Sequence, residues 1–149
     1  MRPTIILLII LAAVNLSAQA QEANWITDFD SAKAQAANEK KSILMSFSGS
    51  DWCGNCIRLD KELFQTAEFI EFAAKNLVLL KLDFPAKKKN KLSDEQTKHN
   101  EALAEKYNKN GVFPTTLVLN ADGEIIKPMS YPLSSANDYV QNLTSITSK

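Results

Sequence analysis

One segment of the chain reads Lys41-Ser-Ile-Leu-Met-Ser-Phe-Ser-Gly-Ser-Asp-Trp-Cys-Gly-Asn-Cys56. Its first seven residues are largely apolar and include the β-branched Ile43, so they predict a short buried strand. The four residues from Ser48 to Asp51 are typical of a turn. A helical pattern begins at Cys53, and the segment therefore predicts a strand, a turn and a helix that opens with a C-x-x-C motif.

Helices and strands alternate on either side of this segment. We expect four further helices: one capped by Asp28 and ending near Lys40, one capped by Thr66, one from the Ser93–Gln96 capping box to about Asn110, and a last one capped by Ser134 or Ser135. We also expect three further strands: one from Leu77 to Asp83, one from Thr115 to Asn120, and its partner from Glu124 to Lys127 across an Asp122-Gly123 turn. Strands separated by helices imply parallel crossovers, and the hairpin adds an antiparallel edge. The predicted fold class is α/β, with a central mixed β-sheet flanked by helices.

The composition indicates one small folded domain. The chain has 149 residues, 45% of them hydrophobic, and its 17 Lys and Arg residues balance 17 Asp and Glu residues. This length matches a single domain of about 100–150 residues. Because the net charge is zero, no overall positive field attracts nucleic acid, and we expect no nucleic-acid partner. Two cysteines are too few for a disulfide-rich scaffold or for a zinc site made of cysteines alone.

The first twenty residues have the pattern of a secretory signal peptide. Met1-Arg2 gives a positive start, the run from Ile5 to Val14 is apolar, and Ala18-Gln-Ala20 is a small-x-small cleavage site. The alternative is a membrane anchor, but a spanning helix needs roughly 20 apolar residues. We therefore expect residues 1–20 to be removed and residues 21–149 to form the mature domain. The mature protein would be periplasmic or secreted, where disulfides persist.

The C-x-x-C pair predicts thiol–disulfide exchange. Two intervening residues at the start of a helix place both sulfurs within disulfide reach on one turn. Cys53 lies where unpaired backbone N–H groups and the helix dipole favour the nucleophilic thiolate, and we expect its sulfur to be exposed. Cys56 lies one turn further, on the apolar side, where it is suited to resolve a mixed disulfide. Trp52 is expected to shield the pair.

Three other interpretations of the cysteines remain open. A purely structural disulfide that closes so short a loop stabilises the fold by only about 2 kcal/mol. A metal site needs further ligands, and His99 is the only histidine in the chain. The polar surroundings of His99 indicate a solvated surface side chain instead. The third interpretation is a pair of buried, reduced cysteines without function. A C-x-x-C motif that follows a strand and opens a helix favours redox activity.

Two motifs resemble those of the thioredoxin superfamily: Trp52-Cys-Gly-Asn-Cys56 after a strand, and Val112-Phe-Pro-Thr115 before a later one. Ser48-Gly-Ser-Asp-Trp-Cys53 and Leu82-Asp-Phe-Pro85 are similar to secreted bacterial thioredoxin-like proteins of the cell envelope. The resemblance covers about residues 25–149. It implies a cis bond before Pro114, which would face the disulfide, and a substrate platform made of Trp52, Phe113 and Pro114. An ordinary proline at a strand entry is the alternative.

Two positions depart from the usual pattern of this superfamily. Gly54-Asn55 lies between the cysteines, where the reducing members usually have Gly-Pro. The strand before the motif has Ser46 and Phe47 in the region where many members have a buried acid that relays protons to the resolving cysteine. The proton-relay residue is therefore left unassigned.

A lysine-rich insertion is the third departure. Extra length lies between Pro85 and Asn100, and it includes Lys87-Lys-Lys89 and Lys91. The simpler interpretation of these lysines is a solvated surface loop. The alternative is a patch that docks a partner.

Together these patterns predict an exported thiol–disulfide oxidoreductase that acts on protein disulfides through Cys53 and Cys56. Its partners would be protein thiols and disulfides, with a membrane thiol transporter as a possible electron donor. We expect a monomer without metal, nucleotide or organic cofactor. The direction of electron flow does not follow from the sequence. The alternative class is a binding module, either an envelope protein that holds Cu(I) with the two sulfurs or a redox-inactive adapter with the same fold.

Overall fold

The computed structural model describes residues 22–129, 131 and 135–147 of the chain. Within these residues, five strands form one sheet: β1 (Trp25–Ile26), β2 (Ser42–Ser48), β3 (Leu77–Asp83), β4 (Thr115–Leu119) and β5 (Ile125–Met129). The same part of the chain contains five α-helices: α1 (Phe29–Glu39), α2 (Gly54–Leu59), α3 (Ala67–Asn76), α4 (Asp94–Tyr107) and α5 (Ala136–Thr147). None of these described helices is long and apolar enough to cross a membrane. The predicted signal peptide and Ser134 lie outside the described residues.

Side-chain caps confirm the predicted helix starts. An oxygen of each cap accepts an N–H from the first turn: Asp28 from Ser31 at 2.7 Å, Thr66 from Phe69 at 3.3 Å, Ser93 from Gln96 at 3.1 Å and Ser135 from Asp138 at 3.0 Å. These bonds satisfy donors that a helix leaves unpaired. α4 ends at Tyr107, earlier than predicted, because the Asn108 side chain binds both the N–H and the carbonyl of Val112.

The sheet is mixed, as predicted, with the strand order β1-β3-β2-β4-β5. β1 and β2 run parallel to β3, whereas β4 is antiparallel to both β2 and β5. The predicted parallel crossover into β4 is therefore wrong. α4 contacts the carboxyl edge of the sheet through Asn100, which donates to the Asp83 carbonyl at 2.9 Å, and its cap Asn108 accepts from Thr115 at 3.4 Å. α4 therefore returns the chain to the same end of the sheet at which β3 finishes. β4 starts at that end and so runs antiparallel to β2.

Apolar side chains cover both faces of the sheet. On one face, Ile43 and Met45 of β2 pack in a cluster with Phe29 of α1. On the other face, Leu44 packs in a second cluster with Phe69 of α3. This alternation is the period of two that a strand imposes on its side chains. The two apolar clusters hold β2 between them, and the carboxyl end of β2 leads into the C-x-x-C motif.

Candidate active site

The C-x-x-C motif lies after the carboxyl end of β2, at the start of α2. Cys53 is the N-cap residue of α2, and its Sγ accepts a hydrogen bond from the Cys56 N–H at 3.2 Å. The Cys53 N–H closes the preceding turn by donating to the Gly49 carbonyl at 2.9 Å. Cys53 and Cys56 form a disulfide with their Cα atoms 5.2 Å apart. The predicted pairing of both sulfurs on one helical turn is confirmed.

The exposure of the two cysteines differs less than predicted. Cys53 is 7% exposed and Cys56 is 4% exposed, so the expectation of an exposed Cys53 is wrong for the disulfide form. The bond itself accounts for this, because it ties the Cys53 Sγ to a buried partner. Their surroundings differ more: Cys53 stands at the helix start, whereas the Cys56 Sγ accepts the buried Gly49 N–H at 3.5 Å.

Aromatic rings gather next to the disulfide. The Trp52 ring packs edge to face against Phe113 with 5.5 Å between centroids, and Phe113 meets Phe84 in the same way at 5.4 Å. The Phe113–Pro114 peptide bond is cis, as the resemblance implied. Trp52 remains 51% exposed. The fold therefore brings Trp52 and Phe113 together and leaves half of the indole available for contact.

An open groove adjoins these rings, and we name it the Pro114 groove. Its lining residues are Asn55, Arg58, Val112, Phe113, Pro114, Thr115, Thr116, Pro128, Met129 and Tyr131. Asn55 belongs to the C-x-x-C motif, so the groove reaches the redox pair. Val112 is 56% exposed and adds an apolar rim. Among the described residues that line the groove, Arg58 alone carries a charge.

Gly49 and Phe84 hold Trp52 in position, and neither was singled out as a site residue from the sequence. The Trp52 Nε1–H donates to the Phe84 carbonyl at 2.7 Å. A Cβ atom at Gly49 would lie 2.6 Å from the Trp52 Cζ2, so only glycine leaves room for the indole there. The Phe84 N–H in turn donates to the Ser48 carbonyl at 2.8 Å. The sequence feature that could have indicated this contact was Gly49 itself, a glycine between two serines in the turn before the motif.

Asp51 ties the turn before the motif to the segment that follows β3. Its carboxylate accepts the Ala86 N–H at 2.9 Å, the Lys87 N–H at 3.1 Å and the Asn90 side-chain amide at 2.8 Å. These donors, that of Ala86 first, lower the pKa of the Asp51 carboxyl below its ordinary value. Sequence reasoning missed this contact because its partners lie at least 35 positions away.

The strand positions before the motif supply no carboxyl group. Ser46 and Phe47 are both buried, and Phe47 belongs to the core cluster on the α1 face of the sheet. Ser46 lies opposite Lys81 in the β2–β3 register. The buried acid that many superfamily members carry in this region is thus replaced by a hydroxyl and a phenyl ring.

His99 is a structural side chain, and its predicted solvation is wrong. The ring is half-buried, and its Nε2 accepts the Phe29 N–H at 3.2 Å. Its Nδ1 therefore carries the proton and donates to the Asn100 Oδ1 at 3.0 Å. These bonds link α4 to the start of α1. Within the described residues, no group of three or more His, Cys, Asp or Glu side chains is arranged to hold a metal ion.

Comparisons with known proteins agree with this geometry. A family model described as thioredoxin-like matches residues 24–121. The disulfide bond reductase DsbH of Chlamydia pneumoniae is 30% identical over 135 residues, which cover 91% of this chain and 75% of that protein. A solved structure of a DsbH oxidoreductase matches with a TM-score of 0.78 at 29% identity and covers 87% of each chain. A thioredoxin from Thermus thermophilus shares the fold, with a TM-score of 0.63 at 13% identity over 85% of this chain and 88% of that one.

The family match spans most of the described domain, and the DsbH match spans nearly the whole chain. The predicted superfamily and fold class are therefore confirmed. Cys53 and Cys56 form a C-x-x-C pair joined in a disulfide. The chain belongs to the thioredoxin-like family and is a thiol–disulfide oxidoreductase.

Proposed function

We propose that the chain reduces disulfide bonds in other proteins, with Cys53 as the attacking cysteine and Cys56 as the resolving one. The similar protein of Chlamydia pneumoniae is a disulfide bond reductase, which supports this direction of electron flow. One observation carries the assignment of the two roles. Cys53 is the N-cap residue of α2, where its Sγ accepts the Cys56 N–H, whereas Cys56 lies within the helix and its Sγ accepts the N–H of Gly49.

The proposed cycle transfers two electrons to the substrate. The Cys53 thiolate attacks one sulfur of the substrate disulfide, forms a mixed disulfide and displaces the other sulfur as a thiolate, which takes up a proton. Cys56 then loses its proton, and its thiolate attacks the Cys53 sulfur. The second substrate sulfur leaves and is protonated. The products are a substrate dithiol and the Cys53–Cys56 disulfide.

The local backbone supports a thiolate at Cys53. The first N–H groups of a helix have no partner inside the helix, and the one on Cys56 already points at the Cys53 Sγ from 3.2 Å. A donated hydrogen bond favours the charged form of a sulfur. After the disulfide opens, this donor stays in place because α2 and the Gly49 turn fix the backbone.

We assign substrate binding to Trp52, Phe113 and Pro114. An extended segment of the substrate would lie along the Pro114 groove, with its disulfide against Cys53. The exposed faces of Trp52 and Val112 offer apolar contact to the residues on either side of that disulfide. Phe113, packed between Trp52 and Phe84, would present its backbone to the segment.

Each turnover leaves the protein oxidised, so a dithiol donor must return two electrons and two protons. We propose a monomer that receives them outside the cytosol, and a membrane thiol transporter is a donor of the right chemistry. Export is supported by the pattern of residues 1–20, a positive start, an apolar run and an Ala-Gln-Ala site. Sequencing the N-terminus of the protein from its host tests export: Gln21 is expected, and full-length protein in the membrane fraction would contradict it.

Reduction of a protein disulfide by the purified dithiol protein tests the function. We expect one substrate disulfide to be reduced for each Cys53–Cys56 pair, and Cys53→Ser to abolish the reaction. The reduction potential, measured in a glutathione buffer, tests the direction. It should lie closer to about −270 mV, the value of a reducing thioredoxin, than to about −120 mV, the value of a strong oxidant. A potential near the oxidising end would contradict the proposed reductase.

A further inference from the structure

A run of lysines lies on the segment that follows β3. Residues 86–91 read Ala-Lys-Lys-Lys-Asn-Lys, and all six are exposed. We name this segment the lysine loop. Its middle forms a 3₁₀ turn (Lys88–Asn90), and the Lys91 N–H closes it by donating to the Lys88 carbonyl at 3.2 Å. The lysine loop therefore has a defined backbone although it adds nothing to the core.

Asp51 fastens the lysine loop to the redox site. Its carboxylate accepts hydrogen bonds from Ala86, Lys87 and Asn90, all within 3.1 Å. The next residue, Trp52, donates to the Phe84 carbonyl just before the loop. Because Asp51 and Trp52 directly precede Cys53, the lysine loop is held beside the turn that carries the attacking cysteine.

The lysines of the loop are neutralised to different extents. The Lys91 Nζ pairs with Asp94 at 3.1 Å. Lys87 lies close enough to Asp51 for its charge to favour the carboxylate. Within the described part of the chain, neither Lys88 nor Lys89 forms an ion pair. Two ammonium groups therefore face solvent on a backbone that is fixed in position.

Two acids near these lysines, Asp51 and Asp83, accept hydrogen bonds from the chain itself. Asp51 accepts the three donors of the loop, and the Asp83 carboxylate accepts the N–H and the hydroxyl of Ser50. In the Pro114 groove, the Nε of Arg58 lies 3.8 Å from Glu62 in an exposed pair, which is a weak interaction. Lys88 and Lys89 therefore present two positive charges that no described ion pair offsets, in a chain whose net charge is zero.

We propose that the lysine loop is a docking surface for acidic segments of protein disulfide substrates. This inference rests on the proposed function, because the loop acts only on partners brought to Cys53. Charges on a surface act over about 8 Å at physiological salt, so the lysine loop speeds the encounter with substrates that carry Asp or Glu near their disulfide. Lys88 and Lys89 fall short of the clusters of about 4–8 basic residues that bind anionic membranes. An acidic protein segment therefore suits the loop better than a lipid surface does.

Matched peptide substrates test the docking surface. Three peptides contain the same disulfide ring and differ only in the residues on either side of the ring, which are Glu, Gln or Lys. The rate at which the dithiol protein reduces each peptide is measured at low and at high salt. The wild-type protein should reduce the Glu peptide about tenfold faster than the Lys peptide at low salt, and the difference should shrink to about twofold at high salt. The K88Q/K89Q variant should lose most of this preference and still reduce the Gln peptide at the wild-type rate.

A control variant removes the same charge from the opposite end of the sheet. Lys40 and Lys75 are exposed and lie before the amino ends of β2 and β3. Lys40 has a φ of 55°, a conformation that asparagine tolerates, so K40N/K75Q is the matched variant. It should keep the preference for the Glu peptide, because its net charge equals that of K88Q/K89Q while the lysine loop is intact.

Four outcomes would overturn the inference. The first is an unchanged preference in K88Q/K89Q, and the second is an equal loss in K40N/K75Q. The third is binding to vesicles rich in phosphatidylserine that depends on Lys88 and Lys89, without any preference among the peptides, which would assign the loop to a lipid surface. The fourth is a wild-type protein that reduces not even the Gln peptide; then the proposed function fails, and the docking surface with it.

Discussion

Replacing Gly49 by alanine tests whether the turn before the motif positions Trp52. The alanine Cβ would lie 2.6 Å from both the Cζ2 and the Nε1 of Trp52, closer than van der Waals contact permits. The backbone at Gly49 is held on both sides, because its N–H donates to the Cys56 Sγ and its carbonyl accepts the Cys53 N–H. The half-exposed indole therefore has to move.

Movement of the indole breaks two interactions. The hydrogen bond from Trp52 to the Phe84 carbonyl contributes about 0.5–1.5 kcal/mol, and the edge-to-face contact with Phe113 contributes about 0.5–1.5 kcal/mol. Gly49→Ala should therefore lower the free energy of unfolding by about 1–3 kcal/mol. The rate of peptide disulfide reduction should fall about 3–10-fold, equivalent to about 0.7–1.4 kcal/mol of lost substrate contact.

Denaturant unfolding and peptide reduction measure the two effects. The matched control is Gly54→Ala, which adds the same methyl group where no atom lies within 4 Å. Because Gly54 is in the first turn of α2, this control should leave the free energy of unfolding unchanged or raise it by up to about 1 kcal/mol. A Gly49→Ala variant that matches the wild-type protein in both measurements would refute the reasoning.

Asn55, Asp51 and Asn100 each offer a separate test. Asn55 is exposed and its side chain is not among the described donors to the sulfurs, but proline at this position removes a backbone N–H from the first turn of α2, whose unpaired N–H groups favour the Cys53 thiolate. Asn55→Pro should therefore make the reduction potential only about 30 mV more reducing; an unchanged or more oxidising value in a glutathione buffer contradicts this. The fold lowers the pKa of Asp51, so its hydrogen bonds to the lysine loop are complete at a pH above the pKa of the unfolded chain and are lost as the pH falls through the pKa of the folded protein. An NMR titration of the Ala86 amide should therefore have a midpoint below 3.8, and a midpoint at or above 3.8 would contradict this. Asn100 is buried and donates to the Asp83 carbonyl, so Asn100→Ala should cost about 1–3 kcal/mol in denaturant unfolding; a loss below about 0.5 kcal/mol would argue against that role.

Local signals in the sequence predicted most of the fold. The caps at Asp28, Thr66 and Ser93 act within three residues of their partners, so the sequence pattern contains the whole interaction. β1 was not predicted, because its two residues are too few to show a periodic pattern and they form a strand only by pairing with β3. The direction of β4 depends on where α4 crosses the sheet edge, which is a matter of tertiary packing.

The site was predictable where its chemistry is local and unpredictable where it depends on distant contacts. Cys53 and Cys56 are three positions apart, and their spacing alone indicates a disulfide on one helical turn. The buried state of Cys53 was not predictable, because it arises from the bonded sulfur and the surrounding packing. The tether from Asp51 to Ala86 was equally hidden, because nothing in either segment alone indicates that they meet.

A mixed-disulfide trap separates the roles of the two cysteines. The Cys56→Ser variant keeps the attacking sulfur and loses the one that releases the substrate, so a peptide should remain attached to Cys53 through one of its two disulfide sulfurs. Mass spectrometry of the intact protein, followed by peptide mapping, detects this adduct and its position. We expect the adduct in Cys56→Ser and none in Cys53→Ser. An adduct confined to Cys53→Ser, or found in neither variant, would contradict the proposed exchange at Cys53.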